Sequence, residues 1–108
     1  MLKRGKESKM EKMYILTRKD LRKSYQAVQA GHALAEFMIK HPEEKKKWNN
    51  SYLIYLGVKD EDELNYWEQK LKNNDINHAS FKEPDIGNQK TSLACYCKGD
   101  HFKQLPLL

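Results

Sequence analysis

Four cations, Arg18, Lys19, Arg22 and Lys23, lie between an apolar run that closes at Arg18 and a helical pattern that opens near Tyr25. A basic loop at a strand end and a helix N-terminus suits a phosphate-bearing ligand. A solvated loop explains the same residues with about equal weight. Further on, His32 falls in the middle of the helical pattern, on one polar stripe with Tyr25, Gln29 and Glu36. An imidazole titrating near neutrality can act as a general acid or base, and a hydrogen-bonded structural histidine is the alternative. The segment Glu83-Pro84-Asp85-Ile86-Gly87-Asn88 has turn composition, and Thr91 opens the strand after it. A carboxylate at Asp85 beside the Thr91 hydroxyl and a lysine could orient water at an ester carbonyl. No H-x-x-x-H, H-E-x-x-H, G-x-G-x-x-G or P-loop pattern occurs, so neither a metal nor a cofactor is expected.

The elements that must position these groups follow from periodicity. Met13–Arg18 reads as a buried strand. Ser24 is a candidate N-cap for a helix over Tyr25–Lys40, with Ala27, Gly31, Leu34 and Met38 forming one apolar line and Val28, Ala35 and Ile39 widening it. Pro42 opens a second short helix, with Glu43 and Glu44 leading and Lys45–Lys47 trailing, an order that suits the helix dipole. Ser51–Val58 is a second buried strand. Asp60–Asn73 is a third helix with Leu64, Trp67 and Leu71 inward. Ile76–Lys82 is a third strand, stopped by Pro84, and Thr91–Cys97 a fourth, followed by a short closing segment. The order βααβαββ predicts a three-layer α/β/α sandwich on a four-stranded mixed sheet, with parallel neighbours where a helix intervenes and a final hairpin.

Composition bounds the rest. A chain of 108 residues makes one domain, here 13–108, preceded by a disordered basic tail over 1–12. The net charge is +5, and that tail carries +3 of it, through Lys3, Arg4, Lys6, Lys9 and Lys12 against Glu7 and Glu11. The most apolar stretch, Leu53–Val58, is far shorter than the ~20 residues that span a bilayer, so no membrane partner is expected. No apolar block follows the charged N-terminus, as a secretory signal would require. Cys95 and Cys97 are two apart on a strand, point the same way and read as reduced residues of a cytoplasmic protein.

Taken together, Ile15-Leu16-Thr17-Arg18-Lys19-Asp20-Leu21, then Ala27-Val28-Gln29-Ala30-Gly31-His32-Ala33, then Asp85-Ile86-Gly87 and Thr91-Ser92-Leu93-Ala94 resemble the archaeal and eukaryotic type of peptidyl-tRNA hydrolase, the second family. The likeness runs from about Met13 to the C-terminus. It implies hydrolysis of the ester joining a peptide to the tRNA 3′ end, tRNA as partner, no cofactor, and a possible homodimer. By position it implies Gln29, His32, Asp85 and Thr91 as catalytic, with Lys23 holding the oxyanion or a phosphate and Arg18, Lys19 and Arg22 binding tRNA phosphates. The chain departs from the family pattern as a divergent short member. Tyr25 stands where a second loop lysine is usual, the loop after Asp20 is about two residues shorter, and Asn88-Gln89 replaces a T-Q pair. A non-catalytic RNA- or protein-binding relative, or a small-molecule enzyme using the same cleft, are the alternatives.

Overall fold

The computed structural model describes residues 10–108. Strand β1 (Glu11–Arg18) is followed by helices α1 (Lys23–Lys40) and α2 (Pro42–Trp48). Strand β2 (Leu53–Val58), helix α3 (Glu61–Asn73), strand β3 (His78–Glu83) and strand β4 (Gln89–Lys98) complete the order. One 3-10 turn, Pro84–Ile86, joins β3 to β4, and a second, Gly99–Phe102, follows β4. The four strands form one sheet in the order β2-β1-β4-β3. The β1–β2 pair is parallel, while β1–β4 and β3–β4 are antiparallel. The expected mixed sheet and element order are both present.

Alternation along the strands builds two cores. Met13, Ile15, Ala79 and Ala94 face α1, where Ala30, Ala33 and Phe37 meet them. Tyr14, Leu16, Leu56, Leu93, Cys95 and Cys97 face α3, where Leu64, Trp67 and Leu71 close the layer. α3 begins one residue after the expected Asp60, which caps it by accepting from the Glu63 N–H at 3.0 Å, and acids lead while lysines trail as expected. Cys95 and Cys97 do share a face, with their sulfurs hydrogen-bonded at 3.8 Å and no disulfide between them.

Several boundaries and one helix face are corrected. β1 begins at Glu11, paired to Lys98, two residues before the expected Met13; residues 1–9 of the expected tail lie outside the described residues. α1 starts at Lys23 with Arg22 as an N-cap that makes no side-chain bond, so Ser24 lies inside the first turn instead of capping it. The buried face of α1 is Gln29, Ala30, Ala33 and Phe37. Val28 and Ile39, expected inward, are 52% and 74% exposed. A buried glutamine sits where hydropathy places a polar face. β2 is an edge strand, and Leu53 and Tyr55 remain exposed. Its free edge is partly covered by the last residues: the Gly57 N–H donates to Pro106 O at 2.9 Å, the Leu108 N–H donates to Tyr55 O at 3.0 Å, and Leu56 bridges Leu107 antiparallel.

Candidate active site

At the sheet end where β1 finishes, β4 begins and β3 finishes, the backbone is irregular. Phe81 pairs with Ser92 and Lys82 with Lys90, so Thr91 has no opposite residue and forms a β-bulge. Simple alternation from Leu93 would aim Thr91 into the apolar layer under α3. The bulge turns it toward α1 instead, beside Ser92, which bonds Thr17 Oγ1 at 2.8 Å and donates to Leu16 O at 2.9 Å.

Under α1 the Thr91 hydroxyl donates to Gln29 Oε1 at 2.6 Å. Gln29 Nε2 donates to Glu83 Oε1 at 2.8 Å. The Asp85 N–H donates to Glu83 Oε2 at 3.2 Å. Thr91 and Gln29 are both fully buried. The three side chains and the Asp85 amide therefore form one hydrogen-bonded run in which Gln29 Oε1 and both Glu83 oxygens accept. Gln29 and then the Asp85 amide hold the Glu83 carboxyl below the usual carboxylate range. Glu83 escaped the sequence reading because a glutamate before Pro84 looks like ordinary turn composition.

Above this buried chain lies an exposed rim. Asp85 is exposed in the 3-10 turn, whose end Gly87 and Asn88 close with φ of 72° and 60°. His32 is exposed and stacks on Phe81, with ring centroids 4.3 Å apart and planes within 10°. Tyr25 stands beside both carboxylates: desolvation, then the charges of Glu83 and Asp85, push its phenol up from its ordinary value. It is therefore a neutral donor at pH 7.

The four basic residues are scattered. Arg18 is 7% exposed and spent internally. Its guanidinium donates to Asp20 Oδ1 and Oδ2 at 3.0 and 2.8 Å, to Gln89 Oε1 at 2.9 Å and to Lys90 O at 3.1 Å. It is a clamp between β1 and β4, not an open phosphate contact. Lys19 leans across Gly57 of the edge strand β2, where a Cβ at Gly57 would come within 2.5 Å of its Cδ, and lines a cavity of about 520 Å³ with Lys59 and Trp67. β2 and β3 are the two edges of the sheet, so Lys19 stands at the opposite edge from Glu83. Arg22 and Lys23 are exposed at the start of α1. Lys23 and His32 are nine residues apart, which at 3.6 residues per turn puts them on roughly opposite sides of the helix. Gln26 Nε2 donates to Lys19 O at 3.2 Å and Leu21 O at 2.5 Å, which fixes the loop between them. Of the expected site residues, Gln29, His32, Asp85 and Thr91 thus come together at one edge of the sheet; Lys23 stands off on the other flank of α1.

The fold is a mixed α/β/α sandwich with a buried Thr–Gln–Glu chain below an exposed aspartate and histidine. The family model for peptidyl-tRNA hydrolase PTH2 matches residues 11–96, and the chain belongs to that family of hydrolases. The match takes in β1 through most of β4, hence every residue of the cleft. No curated protein matches the chain. Among the described residues, no helix is long and apolar enough to cross a membrane and no group of three or more His, Cys, Asp and Glu could hold a metal ion.

Proposed function

We propose that the chain hydrolyses the ester between a peptide, or an N-blocked amino acid, and the tRNA 3′ end. The observation that carries this reading is the layered arrangement: the buried Thr91–Gln29–Glu83 chain holds the 3-10 turn in which Asp85 is exposed, with Tyr25 beside Glu83 and Asp85. Asp85 orients the attacking water and takes its proton. A carboxylate is a weak base, and an activated ester asks little of it. Tyr25 offers a neutral hydroxyl to the developing oxyanion or to the departing ribose oxygen. His32, stacked on Phe81, is exposed on the same rim. Gln29 and Thr91 are positioning residues, because both are sealed from solvent. Arg22 and Lys23 meet tRNA phosphates at the open start of α1.

Release of free tRNA from N-acetyl-aminoacyl-tRNA tests the reading. Asp85→Asn lowers turnover by about 100-fold or more, in the range for loss of a general base. It leaves stability within about 0.5 kcal/mol, since the side chain is exposed. Turnover unchanged in that variant sinks the role given to Asp85. Salt-sensitive tRNA binding without release by the wild type favours the second reading, a non-catalytic RNA-binding relative; Tyr25 at the family's lysine position is the feature behind it.

A further inference from the structure

Lys90 is tied down more heavily than any role as a strand residue requires. Its backbone N–H donates to Glu61 Oε2 at 2.7 Å, and its Nζ donates to Asn65 Oδ1 at 2.7 Å and to Glu68. Its carbonyl accepts from Arg18 at 3.1 Å. Glu61, Asn65 and Glu68 lie at helical spacing on one face of α3, so the whole helix grips this one residue. Lys90 is also the residue immediately before the bulged Thr91. The two side chains leave opposite faces of the sheet: Lys90 toward α3, Thr91 toward Gln29 on α1. A bulge carries an unpaired residue and so lacks the ladder bonds that would fix its conformation. Here that restraint comes from outside the sheet.

We propose that Lys90 is a positioning residue: by anchoring the bulge to α3 it aims the Thr91 hydroxyl at Gln29 and, through Glu83, sets the turn that presents Asp85. This rests on the reading of the cleft given above. It assigns α3, on the far side of the sheet from the cleft, a part in the geometry of the site.

The test compares Lys90→Met, Lys90→Arg and Glu61→Ala, with Leu71→Ala as a control on the same helix. Leu71 is buried in the α3 core and makes none of the hydrogen bonds that hold Lys90, and its truncation destabilises the fold by a large-to-small core change. Two readouts are taken on each folded protein: kcat and KM for ester release, and the NMR signals of the Gln29 side-chain amide and the Thr91 backbone amide. Lys90→Met lowers kcat by about ten- to a hundred-fold with KM within about two-fold, the loss expected for a misplacement on the order of 1 Å. It shifts the Gln29 and Thr91 signals, and Lys90→Arg restores both readouts in large part. Glu61→Ala, which removes the acceptor of the Lys90 N–H together with one acid of the first turn of α3, shifts the same signals and keeps the test open should Lys90→Met fail to fold. Leu71→Ala loses stability while kcat per folded molecule and the Gln29 signals stay at wild type. The proposal is overturned if folded Lys90→Met or Glu61→Ala leaves the Gln29 and Thr91 signals in place, or if Leu71→Ala moves them as far. Wild type that turns over no ester overturns the function proposed above and not this inference, which the NMR signals decide alone.

Discussion

Thr91 and Gln29 share one short hydrogen bond, and its worth lies in what its loss would leave behind. Thr91→Val keeps the shape and removes the donor, so Gln29 Oε1 is left buried without a partner. Such an orphaned acceptor costs about 1–3 kcal/mol. Urea unfolding followed by fluorescence of Trp48 and Trp67 should show that loss as a lower midpoint with an unchanged slope. Much of the site was legible at this scale. Gln29, His32, Asp85 and Thr91 carried the resemblance, and the structure brings all four to one edge. Glu83 was not legible, because only the Gln29 carboxamide, 54 residues away, tells it from a turn glutamate. Arg18 was misread for the same reason: a free guanidinium and one held by Asp20, Gln89 and Lys90 look identical in sequence.

At the level of elements, α3 was read with its buried face intact and α1 was read with its buried face rotated. In α3 three apolar residues, Leu64, Trp67 and Leu71, fix the face, so periodicity suffices even though Glu68 is buried among them. In α1 a fully buried glutamine replaces an apolar residue, and Val28 and Ile39 are left in solvent. Hydropathy cannot anticipate a polar group whose partners, Thr91 and Glu83, come from β4 and the end of β3. Packing of α3 on the sheet brings a titration with it. His78 Nε2 lies 3.0 Å from Glu68 Oε2 and its Nδ1 3.0 Å from Ile76 O. The bond to Glu68 raises the His78 pKa above its ordinary 6.5, and the bonds from His78 and Lys90 lower that of Glu68 from 4.5 to about 2. The raised histidine stabilises the fold fully below pH 6.5 and loses that contribution as pH rises through its folded value. The lowered glutamate contributes above pH 4.5 and loses it as pH falls toward 2. The stability difference between wild type and His78→Gln should therefore be largest between about pH 4.5 and 6.5 and shrink on either side, as denaturant titrations across pH would record.

For the whole molecule, a net charge of +5 overstates what the cleft can offer an RNA. Arg18 is clamped and Lys19 lies over the edge strand β2, so Arg22 and Lys23 are the cations of that loop left open beside α1. Two phosphate contacts predict a slope near −2 for the logarithm of tRNA affinity against the logarithm of salt concentration. Arg22→Ala and Lys23→Ala should each flatten it by about one, measured by filter binding. The chain's last residues matter at this scale too. Removing Gln104–Leu108 bares the backbone of β2 along Tyr55–Gly57. An open strand edge recruits other strands, so the truncated protein should elute as concentration-dependent oligomers in size exclusion while wild type does not change.

The central pair of the sheet joins the first strand to the last. Thr17 and Ser92, hydrogen-bonded at 2.8 Å, are 75 positions apart, and Gln29 meets Thr91 across 62. Loops of that length must close before either contact repays the entropy, and chains built this way fold slowly for their size. β1 and α1 therefore wait, half a site between them, until β4 arrives. No local fragment of this chain can assemble the cleft early, and its chemistry emerges only with the final act of folding.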